Sequence, residues 1–446
     1  MASLNKVMLM GHIGADPNDL DHPQRPNRHV SARQWGLRTT SLEEVHVMSK
    51  KNTLVALDPS ISYAVIGLDL AKADVAVAAV PCSDDEIGLI DRMDYESLYE
   101  QAAKLEPTLF AMEPCCGYST IALRLESLGH QVKVISGNAV KHWVATHRSS
   151  QKTDLNDATA LAKLALNDSE LRPIRVKNLY ECRIASIQAS RRQLSTQATA
   201  TLVCFKSLCQ SWGVVIPKGS KSIKKLTDTV DANVELLGID VANTFKRLLE
   251  NYKRLNAEIN AMDKTLQKLV QQDERGRLMQ SVLGIGTQTA ARLLVVTGEI
   301  GRFENSRSYV AYFGLAPRNI ISGHCGTPDS RRRNQAVYNR GQGKVSRRGD
   351  KIARSLIIQG AGSIYMLNCK NQLQECQLKR WLDQQMASRK AYGKIIVSLA
   401  AKLLRIIWAL LTRKEEFDIH KAGVSRSVLA AMEKPVQCEV TAESAV

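Results

Sequence analysis

Four acidic residues stand where a carboxylate is unfavourable unless it is paired or bound to a cation. Asp69 ends the apolar stretch AVIGLD, and Glu113 ends the similar stretch TLFAME. Asp154 and Asp157 are three positions apart, which places both on one face of a predicted helix. Taken singly, each has an ordinary explanation, such as a strand-end acid that caps a turn or an acidic first turn of a helix.

Taken together, the four carboxylates predict a metal-dependent nuclease centre. Acids on two strands and a helix can converge on two divalent ions about 4 Å apart, which stabilise the attacking and leaving oxygens in phosphodiester cleavage. Ligand sets made of oxygen atoms favour Mg²⁺ or Mn²⁺. We therefore expect these residues to be both catalytic and metal-binding: Asp69, Glu113, Asp154 and Asp157.

Two turns stand out in the Gly-rich, basic region after residue 273. Gly284 and Gly286 lie in SVLGIGTQTA, between two helical segments. Such a turn can offer backbone N–H groups to a phosphate, as in a helix-hairpin-helix element, and a plain helix connection fits the pattern equally well. Ser322 and Gly323 follow YFGLAPRNII, and a Ser-Gly pair is by itself typical of a turn.

Basic side chains are densest just after this serine. Each Lys or Arg placed against a phosphate releases condensed counterions, so such a stretch favours nucleic-acid binding, although a solvated charged surface is the common alternative. We predict phosphate contacts for Arg331, Arg332, Arg333, Arg340, Lys344, Arg347, Arg348, Lys351 and Arg354.

The elements that carry the acids alternate between strands and helices. Short strands are predicted over residues 63–70, 74–80, 108–112 and 131–135, the first two as a hairpin. Amphipathic helices are predicted over 118–128 and over 154–166, with Thr153 as the N-cap of the second. This order indicates an α/β domain.

A long helix with a heptad seam follows the α/β region. Apolar residues alternate spacings of four and three, which is typical of a coiled coil. The seam consists of Val241, Phe245, Leu248, Tyr252, Leu255, Ile259, Met262, Leu266 and Leu269. It can close onto a helix over residues 179–212 of the same chain or onto a second chain, and the pattern does not decide between them.

Composition narrows the partners and the compartment. A net charge of +17 in 446 residues favours a polyanionic partner, with nucleic acid ahead of an anionic membrane surface. The ten cysteines show no CxxC pair, which favours reduced thiols in a cytoplasmic protein over a disulfide scaffold or zinc ribbon. The apolar stretch 395–411 is interrupted by Lys402 and Arg405, so it predicts a packed helix and no membrane span.

Several motifs resemble the DEDD insertion-sequence transposases of the IS110 family. GLDLAK, MEPCCGYSTIALRLESLGHQVKVI and KTDLNDATALAKLA resemble their RuvC-like, RNase H-fold domain. YFGLAPRNIISG and GKVSRRGDKIARSLIIQGA resemble their C-terminal transposase domain. The resemblance implies that Asp69, Glu113, Asp154 and Asp157 form the catalytic tetrad, and that Ser322 attacks a DNA phosphate. The chain departs from the family at Thr159, where an acid is usual, and in a longer segment after Gly323.

The implied organisation has three folded regions between two irregular ends. Residues 60–175 would be a RuvC-like catalytic domain, 176–275 a helical coiled-coil region, and 276–417 a mostly α-helical transposase domain. Residues 1–59 would be an irregular extension and 418–446 a tail. The fold class expected is therefore an α/β RuvC-like domain followed by helical regions.

The resemblance also implies partners and a location. They are double-stranded DNA at the element ends and target, a structured noncoding RNA encoded by the element, and further copies of the chain in a dimer or tetramer, in the bacterial cytoplasm near the nucleoid. A RuvC-like Holliday-junction endonuclease would share the acids but use water as nucleophile. A noncatalytic nucleic-acid-binding protein would need only the basic surface.

Overall fold

The computed structural model describes residues 52–418 apart from 55, 84–86, 116, 148–152, 168–171, 217–218, 220–221, 320–341 and 374. The first part is a six-stranded mixed sheet. Its strands are β1 (Asn52–Thr53), β2 (Tyr63–Leu70), β3 (Asp74–Pro81), β4 (Gly88–Asp94), β5 (Leu109–Met112) and β6 (Gln131–Val134).

The strands are arranged in the order β1-β4-β3-β2-β5-β6. Antiparallel pairing joins β2 to β3 and β3 to β4, whereas β2 to β5, β5 to β6 and β1 to β4 are parallel. The predicted hairpin over 63–70 and 74–80 is confirmed, and the strands predicted over 108–112 and 131–135 are present with ends within one residue.

Helices cover both faces of the sheet. They are α1 (Tyr95–Ala102), α2 (Tyr118–Ser127), α3 (Gly137–His147) and α4 (Asp154–Asn167). Leu98 of α1 and Leu125 of α2 pack with Phe110 on one face, while Ala158 of α4 packs with Ala111 on the other. Because both faces are buried, the central strands are apolar on both sides. The result is a mixed α/β fold, consistent with a RuvC-like domain.

The helix predicted over 154–166 begins at the expected residue. The backbone N–H of Asn156 donates to Oγ1 of Thr153 at 3.2 Å, so Thr153 caps the first turn of α4 as its sequence position suggested.

Two long helices form an antiparallel hairpin after the sheet. The segment contains α5 (Leu179–Ser211), α6 (Ile223–Asp231), α7 (Val234–Leu237) and α8 (Ile239–Gln272). The rings of Phe205 and Phe245 pack 5.8 Å apart at one end of the pair, and Arg191 meets Asp263 at 2.5 Å further along. The heptad seam of α8 therefore closes onto α5 of the same chain.

The remaining helices share one large apolar core. They are α9 (Glu274–Ser281), α10 (Thr287–Thr297), α11 (Ser306–Tyr312), α12 (Lys351–Cys369), α13 (Gln377–Ala387) and α14 (Tyr392–Arg413). Within the described residues, α14 alone is long and apolar enough to cross a membrane by length and composition. Ile395, Leu399 and Leu404 are fully or almost fully buried against α9, α11 and α12, which confirms the packed helix predicted over 395–411.

An arginine at the end of the α/β region ties it to these helices. Nη1 of Arg175 pairs with Oε2 of Glu181 at 2.6 Å, and Nη2 donates to the carbonyl of Val295 at 2.8 Å. Glu181 is 1% exposed, and a carboxylate so buried is strongly unfavourable without a charged partner. The start of α5 is therefore fixed against the last turns of α10.

Candidate catalytic site

Asp69 lies on β2, and Glu113 directly follows the neighbouring parallel strand β5. The register of β2 and β5 pairs Ile66 with Phe110, Gly67 with Ala111 and Leu68 with Met112. Asp69 and Glu113 are the next residues along this register, and paired parallel strands lie about 4.8 Å apart. Since side chains alternate between faces, both acids project from the face that carries Gly67 and Ala111. Both side chains are half-buried.

Helix α4 packs directly onto that same face. A β-carbon on Gly67 would overlap the carbonyl oxygen of Ala158 and lie 2.7 Å from the backbone nitrogen of Ala162. Asp157 immediately precedes Ala158 and is half-buried, and Asp154, one turn earlier, is exposed. The close approach permitted by Gly67 thus brings the acidic first turn of α4 to the sheet face that carries Asp69.

Helix α3 begins against the carboxylate of Glu113. A β-carbon on Gly137, the first residue of α3, would lie 2.9 Å from Oε2 of Glu113. The N-terminus of a helix carries a partial positive charge, which favours a nearby carboxylate. Glycine at this position therefore leaves room for the Glu113 carboxylate in a favourable electrostatic environment.

Tyr95 is a neighbour of the site that the sequence did not indicate. Its hydroxyl donates to the carbonyl of Ala71 at 2.7 Å, in the turn directly after the strand of Asp69. Burial raises the pKa of Tyr95 to about 12, helped by the negative charges of Cys115 and then of Tyr99, Asp74 and Asp69. A tyrosine in the first turn of a surface helix has no motif that could have identified it from sequence.

The departure at Thr159 has a structural explanation. Thr159 is 2% exposed, and its hydroxyl donates to the carbonyl of Leu155 at 2.7 Å, within α4. This position is buried, where a hydroxyl that bonds to the carbonyl of its own helix costs less than a charged carboxylate.

The donor set fits a hard divalent cation, although the side chains are not closed around one site. Across the described parts of residues 52–418, no three His, Cys, Asp or Glu side chains form a group that could hold a metal ion. Two observations favour the fit: the candidate ligands are all carboxylates, the donors that Mg²⁺ and Mn²⁺ prefer, and Gly137 leaves open the space beside Oε2 of Glu113.

The candidate nucleophile lies outside the described residues, together with several candidate phosphate ligands. These are Ser322, Arg331, Arg332, Arg333 and Arg340. The strands that lead into and out of this segment are described: β7 (Pro317–Asn319) and β8 (Gln342–Val345) form an antiparallel pair. Ser322 therefore follows β7 by three residues, in a segment whose two ends are held together.

The other basic residues predicted to contact phosphate lie in the strand β8 or after it. Lys344 belongs to β8, and Arg347, Arg348 and Lys351 are exposed immediately beyond it. Arg354, by contrast, is half-buried in α12, and its Nη1 donates to the carbonyl of Arg348 at 2.9 Å. Arg347, Arg348 and Lys351 are therefore exposed next to the strand pair β7–β8, which flanks the segment of Ser322. Arg354 stabilises their loop through its hydrogen bond to Arg348.

Backbone conformation and packing both require glycine at position 284. Gly284 has a φ of 83°, and a β-carbon there would lie 2.8 Å from the carbonyl oxygen of Gly360 in α12. Gly286 is exposed at the start of α10, and nothing lies within 4 Å of the position of its β-carbon. Of the two glycines predicted to contact phosphate, Gly286 is the more accessible.

Family models match the chain in both of its functional halves. Residues 66–211 match the DEDD transposase model of IS110, and residues 276–376 match the model described as "Transposase IS116/IS110/IS902 family". Together the two matches span more than half of the chain. The first match contains all four predicted acids, Asp69, Glu113, Asp154 and Asp157.

Individual relatives agree with the family models. The chain is 29% identical to a "Probable family 20 transposase" of Pseudomonas aeruginosa, over 78% of this chain and 97% of that protein. It is 27% identical to "Transposase for insertion sequence element IS1328" of Yersinia enterocolitica, over 79% of this chain and 98% of that protein. A "Pilin gene-inverting protein" of Moraxella lacunata is 25% identical over 38% of this chain and 48% of that protein. The chain belongs to the IS110 family of transposases and is a DNA transposase.

Proposed function

We propose that this transposase excises and integrates an insertion sequence by metal-dependent strand cleavage and by rejoining through a serine nucleophile. The observation that carries the proposal is the register of β2 and β5, which puts Asp69 beside Glu113 on the face that α4 covers. The elements that carry the acids, β2, the end of β5 and α4, contact one another at this face, which supports a shared role for the acids.

The four carboxylates would hold the metal. Asp69, Glu113, Asp154 and Asp157 are proposed as its ligands, with Mg²⁺ or Mn²⁺ as the ion. When bound, such an ion acts as a Lewis acid that stabilises negative charge on phosphate oxygens. The protein contributes by positioning: Gly137 leaves room for Glu113, and Gly67 lets the acidic turn of α4 approach the sheet.

The serine would conserve the energy of the broken bond. Oγ of Ser322 attacks phosphorus and loses its proton, while the bond from phosphorus to the leaving sugar oxygen breaks and that oxygen takes up a proton. A hydroxyl of the second strand then attacks the same phosphorus and releases the serine. The number of phosphodiester-type bonds is unchanged at each step, which a hydrolytic nuclease does not achieve.

Two variants separate this mechanism from its alternatives. Ser322→Ala should bind DNA but form no covalent protein–DNA adduct, and Asp154→Asn with Asp157→Asn should bind DNA but not cleave it. Adducts are detected by denaturing electrophoresis of labelled DNA with Mg²⁺ or with a chelator. Full cleavage by Ser322→Ala would support a RuvC-type endonuclease that uses water. No effect of the Asn variants or of the chelator would support a noncatalytic nucleic-acid-binding protein.

The nucleic acids that this transposase binds are also proposed. Element ends and target are taken to be double-stranded DNA, and a structured noncoding RNA from the element is proposed as guide by analogy with the family. The exposed Arg347, Arg348 and Lys351 support contacts with phosphates of either nucleic acid. A cytoplasmic location near the nucleoid follows from such partners. We also propose three functional regions: a RuvC-like catalytic domain over residues 60–175, a helical region over 176–275 and a transposase domain over 276–417.

The hairpin of α5 and α8 is proposed to be an antiparallel coiled coil that presents an oligomer contact at its tip. Since the seam is occupied within the chain, self-association needs another surface. Trp212, Val215 and Ile239 are 42%, 84% and 70% exposed near the turn between the long helices. Exposed apolar residues grouped in this way mark protein interfaces. Light scattering of Val215→Asp with Ile239→Asp should show a smaller species than the parent protein, and an unchanged mass would contradict this interface.

A further inference from the structure

A stacked arginine lies on the surface beside the basic loop. The guanidinium carbon of Arg302 is 4.5 Å from the ring centroid of Phe303 and 4.6 Å from that of Tyr312. Phe303 is 8% exposed, whereas Tyr312 is 41% exposed. The cation therefore lies against a buried ring and an exposed ring that themselves pack edge-on 5.3 Å apart, in the range where cation–π attraction operates.

The rings beneath this arginine form a rigid base. Phe303 packs edge-on against Tyr309, with ring centroids 4.9 Å apart, and Tyr309 packs against Phe313 at 5.1 Å. Tyr309 is fully buried, and its hydroxyl shares a 2.9 Å hydrogen bond with Oγ1 of Thr297. Arg302 has thus already lost much of its rotamer freedom, and a pre-organised cation binds an anion with a smaller entropic cost.

Tyr312 connects the stacked arginine to the basic loop. A β-carbon on Gly349 would overlap the carbonyl oxygen of Tyr312, so the loop backbone lies directly against this residue. The N–H of Arg347 donates to the carbonyl of Gly314 at 3.0 Å, two residues beyond Tyr312. Arg347 and Arg348 are both exposed in the loop that packs against the Tyr312 backbone, and Arg302 contacts the Tyr312 ring.

The same loop adjoins the strands that carry the serine segment. The N–H of Ser346 donates to the carbonyl of Ala316 at 2.9 Å, which continues the pairing of β7 and β8. The nearby cations outnumber the nearby acids. Asp350 is paired with Arg292, and the exposed acids within three residues of Arg302 are Glu299 and Glu304. The exposed cations of the region are Arg302, Arg307, Arg347, Arg348 and Lys351. The surface is therefore cationic and lies next to the candidate nucleophile's segment.

We propose that Arg302, Tyr312, Arg347 and Arg348, the Arg302 surface, bind the DNA strand that leads to the serine. The arginines would contact successive phosphates, and the Tyr312 ring would pack against a sugar or an unstacked base. One guanidinium N–H of Arg302 donates to the carbonyl of Val296 at 3.3 Å, and the group has five N–H donors, so donors remain for a phosphate. DNA is favoured over RNA because the surface borders the base of the segment that is proposed to attack DNA, and in this respect the inference rests on the proposed function.

The test compares two stacked arginines in the same chain. Arg124 on α2 lies 4.3 Å over the ring of Tyr99 and is also partly exposed, but it belongs to the α/β region, so Arg124→Ala is a matched control. Binding is measured by fluorescence anisotropy with a labelled random-sequence DNA duplex, without divalent ions, at several salt concentrations. Arg302→Ala should weaken binding about tenfold and lower the salt slope by about 1, as expected for a lost phosphate contact.

Two further variants separate charge from stacking. Arg302→Lys keeps the charge but loses the planar group, so it should still weaken binding measurably. Tyr312→Ala should weaken binding as well, whereas Tyr312→Phe, which keeps the ring, should not. Thermal melting checks that each variant is folded. Equal affinities for Arg302→Ala, Arg124→Ala and the parent protein would overturn the proposal.

A parallel titration identifies the nucleic acid. If Arg302→Ala weakened binding to an RNA hairpin and left duplex DNA binding unchanged, the assignment to DNA would be wrong. The outcome is distinguishable from failure of the proposed function, because Ser322→Ala reports on adduct formation and is expected to bind DNA like the parent protein. A protein without serine chemistry can still bind DNA at the Arg302 surface, and a serine recombinase can bind it elsewhere.

Discussion

Gly137 lies against the carboxylate of Glu113, with space for a hydrogen but not for a methyl group. An added β-carbon would be 2.9 Å from Oε2 and 3.5 Å from the carboxyl carbon. The first residue of α3 and the end of β5 thus define together where this candidate ligand can lie.

Gly137→Ala should impair cleavage more than it impairs folding. The methyl group would push the Glu113 carboxylate aside, and a displacement of about 1 Å at a reacting centre can lower the rate about 100-fold. The measurement is DNA cleavage as a function of Mn²⁺ concentration, with thermal melting in parallel. We expect Gly137→Ala to need a higher Mn²⁺ concentration for half-maximal cleavage, while its melting temperature stays nearly unchanged.

Gly393→Ala provides the control for this variant. Gly393 lies in α14, and nothing surrounds the position of its β-carbon within 4 Å. It should cleave like the parent protein. Parental cleavage and Mn²⁺ dependence in Gly137→Ala would show that Glu113 does not need this space.

Gly67→Ala should destabilise the α/β region. A β-carbon there would overlap the carbonyl oxygen of Ala158, so α4 would have to move away from the sheet. Overpacking of this kind typically costs about 1–3 kcal/mol. The free energy of unfolding is measured by urea denaturation, with Gly362→Ala as the comparison, since its β-carbon would meet only the Tyr392 hydroxyl at 3.6 Å. Equal stability of the two variants would contradict the tight contact.

Tyr95→Phe should lower stability modestly. The variant loses the 2.7 Å hydrogen bond to Ala71, which contributes about 1 kcal/mol. Because the pKa of Tyr95 is raised to about 12, chiefly by burial, its hydroxyl remains protonated across the neutral range. The contribution to stability is complete below the ordinary pKa of 10.0 and declines as the pH rises towards 12. Urea unfolding at pH 8 and pH 11 checks this, and a Tyr95→Phe difference that grew with pH would oppose it.

Asp350→Asn should destabilise the protein at neutral pH and lose this effect in acid. Burial would raise the pKa of Asp350, but the hydrogen bonds and charge of Arg292 and the backbone N–H of Ala353 outweigh it, so the pKa lies below 3.8. A carboxyl with a lowered pKa stabilises the fold above its unfolded pKa, and that contribution is lost as the pH falls through the folded value.

The free energy of unfolding of Asp350→Asn should be about 1–3 kcal/mol lower than that of the parent protein at pH 7, the range for a charged hydrogen bond in a partly buried site. This difference should shrink below pH 4. Urea unfolding at pH 7, 5 and 2.5 measures it, with Glu258→Gln on the exposed side of α8 as control. A difference that persisted unchanged at pH 2.5 would mean that it does not come from the charge of Asp350.

Local sequence patterns predicted most of the central strands of the α/β region. Alternating and continuous apolar runs predicted β2, β3, β5 and β6 almost to the residue, because a buried strand must be apolar wherever helices cover it. The strand β4 was missed, since GLIDRMD mixes charged and apolar residues and its pairing with β3 depends on the neighbouring strand. Helix α3 was missed as well, although Ser136 directly before it is a cap signal: Oγ of Ser136 accepts a hydrogen bond from the N–H of Ala139 at 3.4 Å.

The types and order of the four acids, the basic charge and the resemblance to IS110 transposases were all readable in the amino-acid sequence, because residue chemistry and spacing are local properties. Only the tertiary structure decided that Asp69 and Glu113 are neighbours in register, that α8 closes onto α5 of its own chain, and that Tyr312 joins Arg302 to Arg347 and Arg348. Each of these contacts joins residues distant in sequence, and it forms because strand pairing and the burial of apolar faces bring them together, which no local pattern specifies.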